Sequence, residues 1–243
     1  MTKILVFQSR ITEKRIEGER DNYRRTIGSL ADIDFLSAVD AKLSWTLPQD
    51  LLAGYDGIIF GGSSDFDFHG GRPKEDPARI MSMLILSRAK HVVSYALEAG
   101  IPVLGVCFGH QLIAQMHGGR VYNDHEQSKF GAFKVQLTEE GKTDPLFSSL
   151  PKTFYAQYAH KDSATLLPEG ATLLATGPDC RFSALRYGER VYTTQFHPEM
   201  RDVSIEGVVE VHESPEASTL IPKWISMVVK SCISSDTYGT PRN

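Results

Sequence analysis

The sequence predicts an α/β fold: a single domain with a mostly parallel central sheet, helices on its faces and an antiparallel β extension. Three observations carry this reading. Through residue 118, short continuous apolar runs alternate with longer helical stretches, the rhythm of strand–crossover–strand units buried on both faces. After Gly119 the rhythm changes to closely spaced β-rich segments separated by turn residues, which suits hairpins rather than crossovers. A 41% apolar share over 243 residues supplies one sizeable core without requiring a second domain.

In chain order, residues 4–7 form a short apolar run expected as a buried strand, and residues 17–27 a polar amphipathic helix. A second strand is expected at 32–36 and a third at 57–62, after the turn Gly54-Tyr55-Asp56. Residues 78–99 read as a long helix closed by Gly100, and Ile101-Pro102 opens the next apolar strand. In the second half, strands are expected at 130–137, 154–160 and 171–175, followed by a hairpin pairing 182–186 with 191–196 across Tyr187-Gly188-Glu189-Arg190. Residues 205–217 read as an acidic loop, 220–232 as a terminal helix packing on the sheet, and the polar tail from Ser234 as flexible. The division is residues 1–205 as the main domain, with 206–243 as a C-terminal loop, helix and tail packed on it. Right-handed crossovers place ligands beyond the carboxyl ends of the strands, where Gly62, Cys107 and His197 all fall.

With 26 basic and 30 acidic residues the net charge is −4, so no basic excess exists to hold nucleic acid or an anionic membrane. Cys107, Cys180 and Cys232 provide neither a disulfide framework nor paired metal-ligand spacing, which points to a reducing compartment. The N-terminus enters a strand at once with no signal-peptide core, and no apolar run approaches the roughly 20 residues of a membrane helix. A cytoplasmic protein is expected.

Chemistry concentrates at Gly105-Val106-Cys107-Phe108-Gly109-His110-Gln111, which follows an apolar strand and precedes a helix. Gly-x-Cys-x-Gly at a strand-to-helix junction is a nucleophile elbow: the turn is too sharp for side chains two residues either side, and it pushes the thiol out at the sheet edge. Gly105 and Gly109 should therefore tolerate nothing larger than alanine. The helix beginning at Phe108 directs its partial positive end at the sulfur and favours the reactive thiolate. Ninety residues on, Gln195-Phe196-His197-Pro198-Glu199 ends another strand. His197 can serve as base there, with Glu199 across a stiffening proline to orient the imidazole, giving the nucleophile, base and orienter of acyl transfer. The remaining cysteines lack such a frame and read as packing or surface residues; His110 reads as structural.

Together these two blocks resemble the class I, or triad, glutamine amidotransferases, most of all the stand-alone GMP synthase-like glutaminase subunits. The likeness runs from Lys3 to Arg201 and includes Gly57-Ile58-Ile59-Phe60-Gly61-Gly62, Gly118-Gly119 and Ala159-His160-Lys161-Asp162. It implies the flavodoxin-like fold of that family, an oxyanion hole from the N–H groups of Gly62 and Phe108, and substrate binding by Gln111, Gly131 and His160. Ser63-Ser64-Asp65 departs from the family, where a proline usually follows the glycines. The 63–77 loop is long and reads as a partner-contacting or gating segment.

The function expected is hydrolysis of the glutamine side-chain amide to glutamate and ammonia by Cys107, His197 and Glu199, with no cofactor and no metal. The family passes the ammonia to a synthetase, and no phosphate-cradling loop is present here, so a separate synthetase subunit is the expected partner. A γ-glutamyl peptidase or hydrolase acting on γ-glutamyl compounds is the alternative enzyme, and a non-catalytic regulatory or binding protein the alternative class.

Overall fold

In the computed structural model, residues 1–201 and 213–231 are described. Parallel strands β1 (Lys3–Gln8), β2 (Asp32–Ser37), β3 (Gly57–Phe60), β4 (Val103–Val106) and β11 (Val191–Thr194) form five of the nine strands of one sheet, in the order β2-β1-β3-β4-β11. The sheet continues antiparallel through β10 (Cys180–Tyr187), β9 (Ala171–Gly177), β6 (Lys129–Leu137) and β7 (Thr153–His160). Both the expected parallel sheet and its antiparallel extension are present.

Alternation along the parallel strands splits the core in two. Ile4, Val6, Ile59 and Leu104 face α1 (Glu13–Ile27) and the C-terminal helical segment, packing against Tyr23, Ile27 and Trp224. Leu5, Phe7, Ile58 and Val103 face α3 (Pro77–Glu98) and α4 (Phe108–Met116), packing against Val92, Val93 and Ile113. Asp76 caps α3 by accepting from the Ala78 N–H at 2.8 Å, Pro77 stands in its first turn, and Gly100 ends it with φ +71°.

Several expectations shift. The first helix starts at Glu13 rather than residue 17, because Glu13, Lys14 and Arg15 add a helical turn that carries no apolar signal. The third strand ends at Phe60: Gly61 keeps one bond to Phe7, at 3.0 Å, and Gly62 leaves the ladder. Two short helices, α2 (Pro48–Leu51) and α5 (Glu139–Thr143), and a separate antiparallel pair, β5 (Val121–Asn123) with β8 (Asp162–Ala164), have too few residues to show a period.

The acidic loop expected at 205–217 is corrected in its described part, since Pro215 opens the short helix α6 (Pro215–Ser218). Residues 205–212 lie outside the described residues, as do Cys232 and the tail from Ser234. The terminal helix is α7 (Leu220–Lys223), continuing as wider π turns over Trp224–Val229. Among the described residues no helix is long and apolar enough to cross a membrane.

Candidate active site

Parallel registry brings the carboxyl ends of four strands together. Phe7 pairs with Phe60, Phe60 with Gly105, and Val106 with Thr194, so the residues following each pair meet above one edge of the sheet. Cys107 follows β4 directly. It has φ +52°, the only positive φ of a non-glycine among the described residues, in a conformation costing about 1–3 kcal/mol that persists only where packing enforces it.

The glycines show the enforcement. A Cβ on Gly105 would lie 2.8 Å from the Gly109 carbonyl oxygen, and one on Gly109 only 2.1 Å from that of Phe60. These obstacles are backbone and cannot turn aside, so even the alanine allowed from the sequence is too large at Gly109.

Cys107 is 2% exposed and its Sγ lies 3.8 Å from the Ala159 carbonyl oxygen. His197, three residues beyond Thr194 at the end of β11, is held by its own N–H donating to the Gln157 carbonyl at 2.8 Å. Its Nδ1 stands 2.7 Å from Glu199 Oε1, both side chains buried. Nε2 is buried without a hydrogen bond of ordinary geometry and is the nitrogen left for the thiol. Burial works against a charged ring here, but the negative charges of Glu199 and Cys107, with the hydrogen bond to Glu199, push the His197 pKa up to about 10. The imidazole therefore holds its proton at neutral pH.

Gly62 packs against this pair. A Cβ there would sit 2.9 Å from His197 Cε1 and 3.5 Å from Cys107 Cβ. Neither the Gly62 nor the Phe108 N–H donates to a protein acceptor among the described residues, and Phe108 opens α4, where the first amides are unpaired by construction. These two N–H groups belong to residues next to Cys107, Gly62 by packing and Phe108 by sequence.

In front of the sulfur opens a cavity of about 330 Å³ lined by Cys107, Phe108, Gln111, Phe130, His160 and Asp162 together with Ser63, Ser64, Phe66 and Asp67. Gln111 is anchored rather than free, its Nε2 donating to the Asp162 carbonyl at 2.7 Å. His160 is buried with Nδ1 3.0 Å from that same carbonyl, and burial holds its pKa down at about 3, so it is neutral. Gly131, with φ +125°, does not line the cavity; its neighbour Phe130 in β6 does. His110 faces away, 2.9 Å from Thr193 Oγ1, and is structural as expected.

Sequence reasoning missed Asp162. Its buried carboxylate accepts from the N–H groups of both His69 and Gly70, each at 2.7 Å, and so fastens the 63–77 loop across the cavity. Phe66 and Phe68 are the buried side chains of that loop, Phe68 stacked on Phe108 with centroids 5.2 Å apart. A larger cavity, about 610 Å³, also touches Glu199 but is not lined by Cys107 or His197.

Residues 47–204, well over half of the chain, match the sequence profile described as Glutamine amidotransferase class-I. Among curated proteins, the A subunit of the glutamine-hydrolysing GMP synthase of Methanocaldococcus jannaschii is 37% identical over 47% of this chain and 60% of its own length. The corresponding GMP synthase protein of Archaeoglobus fulgidus is 29% identical over 64% of this chain and 72% of its own. The chain thus matches less than two thirds of the length of the Methanocaldococcus relative. Two crystal structures share the fold. One, described as a candidate GMP synthase component from Thermoplasma acidophilum, has a TM-score of 0.68 at 21% identity over 98% of this chain and 97% of its own. The other, a glutamine amidotransferase from Thermotoga maritima, has a TM-score of 0.61 at 19% identity over 97% and 85%. By the length of the profile match and the two blocks that anchor it, this chain belongs to the class I glutamine amidotransferases.

Proposed function

We propose that the chain hydrolyses the side-chain amide of glutamine and hands the ammonia to a separate synthetase subunit. The observation that carries this is the buried His197–Glu199 pair, 2.7 Å apart, set behind a strained Cys107 that opens on a small cavity. In the first step the Cys107 thiolate bonds to the amide carbon and the carbonyl π electrons move to oxygen. The N–H groups of Gly62 and Phe108 receive that oxyanion, each donor contributing about 3–4 kcal/mol to such a transition state. When the carbonyl re-forms, the carbon–nitrogen bond breaks and the proton held on His197 goes to the departing nitrogen. The neutral imidazole then takes a proton from water, whose oxygen attacks the thioester. Glutamate leaves, and thiolate and imidazolium are restored.

A partner is supported by the family, whose relatives in Methanocaldococcus and Archaeoglobus are each named as one subunit of GMP synthase. Glutamine is favoured over a γ-glutamyl peptide by the cavity itself. At about 330 Å³ it is near the lower limit of small-molecule pockets, and the fastened 63–77 loop supplies Ser63, Ser64, Phe66 and Asp67 to its wall. Steady-state turnover of glutamine and of γ-glutamyl dipeptides by the isolated chain, with and without a synthetase recovered from the native source, tests the reading. Partner-stimulated release of ammonia from glutamine is expected. Faster cleavage of the dipeptides, indifferent to any partner, would replace it with the peptidase reading.

A further inference from the structure

Behind the loop that carries Gly62 lies a buried ion pair that the hydrolysis above does not use. Arg10 follows β1, and Glu19 stands on the inner face of α1, 4% exposed. Arg10 Nε is 3.2 Å from Glu19 Oε1, while its Nη1 donates to Ser64 Oγ at 3.0 Å. Its Nη2 is 3.4 Å from the point where a Gly62 Cβ would stand, the same point that lies 2.9 Å from His197 Cε1. Glu19 is fixed from the far side by Gln8 Nε2, donating to Oε2 at 2.9 Å. Gly61 rides directly on the pair, its Cβ position 2.7 Å from Glu19 Oε1. The next residues add two more ties between the same segments: the Ile11 N–H donates to Asp65 Oδ2 at 3.1 Å, and Arg15 pairs with Asp65.

We propose that Arg10 is a positioning residue of the active site: braced on Glu19, it holds the Ser63-Ser64-Asp65 loop where relatives usually carry proline, and it sets a fixed cation behind the Gly62 N–H and the Cys107 sulfur. Proline restrains a loop by removing backbone freedom; here a guanidinium fork does so by hydrogen bonding, and brings a charge that proline lacks. A buried arginine of this kind is costly unless paired, which is the part played by Glu19. The other ionisable groups that act on this centre are His197 and Glu199 beyond β11, Glu19 and Tyr23 on α1, His160 on β7 and Cys180 on β10. Glu199 and Glu19 are acids and burial holds His160 neutral, so Arg10 joins the His197 imidazolium as a positive charge at the thiolate and remains charged once His197 has passed its proton to the leaving nitrogen.

The inference rests on Cys107 being the nucleophile, and its test is chosen to be independent of the substrate. The rate of Cys107 alkylation by iodoacetamide is followed against pH with site-resolved mass spectrometry, beside glutaminase kinetics and a melting curve. The variants are Arg10→Gln, Arg10→Lys and the doubly neutral Arg10→Gln/Glu19→Gln. In Arg10→Gln the acid limb of alkylation is expected to move up by about one pH unit, because an adjacent cation no longer favours the thiolate. Glutamine kcat is expected to fall about 10- to 100-fold with KM changed less than about threefold, the mark of lost alignment rather than lost binding. Arg10→Lys should restore the alkylation limb but only part of kcat. If Arg10→Gln does not fold, the double variant, which leaves no unpaired buried charge, carries the test. A folded double variant with wild-type kcat and a wild-type alkylation profile overturns the proposal. A limb that moves with Arg10 in a chain unable to hydrolyse glutamine supports the positioning role and removes the glutaminase reading instead.

Discussion

Glu199→Gln is the sharpest probe of how the site divides its work. The substitution keeps the shape of the side chain and removes its charge, 2.7 Å from His197 Nδ1 in a buried setting. A charge-assisted hydrogen bond of this kind contributes about 1.5–3 kcal/mol, and one pKa unit corresponds to about 1.4 kcal/mol, so the His197 pKa should fall by about one to two units. In the native protein that pKa is raised to about 10, and the imidazolium needed to protonate the leaving nitrogen persists until the pH passes through it. The kcat/KM profile of the native enzyme should accordingly stay level from neutrality into the alkaline range and decline near pH 10. In Glu199→Gln the alkaline limb should move down by about one to two pH units. Turnover on the plateau should fall about 10- to 100-fold, the same free energy expressed as rate. Glutamate release measured from pH 6 to pH 10.5 reads both quantities. An alkaline limb that stays in place, or a loss larger than that of His197→Asn, would mean that Glu199 does not act through the imidazole.

Cys107→Ala should abolish turnover and leave the melting temperature unchanged or raised, since it removes one small side chain at a strained turn; retained ammonia release would refute the covalent route. Gly109→Ala should cost soluble protein or all activity, because the new methyl meets the Phe60 carbonyl at 2.1 Å; normal expression and turnover would show that the elbow is not as described. Asp162→Asn should loosen the 63–77 loop by about 1–3 kcal/mol, since one of the two N–H groups it now satisfies would face an amide donor. The expected signs are a KM for glutamine raised severalfold and faster proteolysis within that loop; an unchanged KM with unchanged cleavage would remove Asp162 from the account.

Strands were legible where burial is continuous, as in Ile4, Leu5, Val6 and Phe7, because a run buried on both faces needs no partner information to be seen. The elbow turn was legible because its constraint is local: five residues carry both the cysteine at positive φ and the absence of side chains that the turn requires. His197 and Glu199 were legible for the same reason, two residues apart across a proline. Residues that act by meeting others across the chain were not. Asp162 sits in a three-residue strand, and the two N–H groups it binds lie 93 and 92 residues away, in a loop without a period. Nothing in the sequence singles out Arg10 or Glu19, since their burial follows from where Gly61 and Gly62 leave β3, which no feature of residues 10–19 records. The short elements β5, β8 and α2 fall below the length at which periodicity is defined.

Why the strained cysteine holds its conformation follows from the same contacts. A φ of +52° at Cys107 would relax if α4 could move away from β3, but Gly109 rests on the Phe60 backbone and donates its N–H to the Gly61 carbonyl at 3.2 Å. Gly61 is in turn seated on Glu19, and Gly62 on Arg10 and His197. The strained turn, the free N–H groups and the base are therefore parts of one packed stack, in which each glycine lets the next layer approach. Displacing any layer by a single methyl would change the angle between sulfur, oxyanion donors and imidazole together, so damage at Gly62, Gly105 or Gly109 should appear in kcat before it appears in KM.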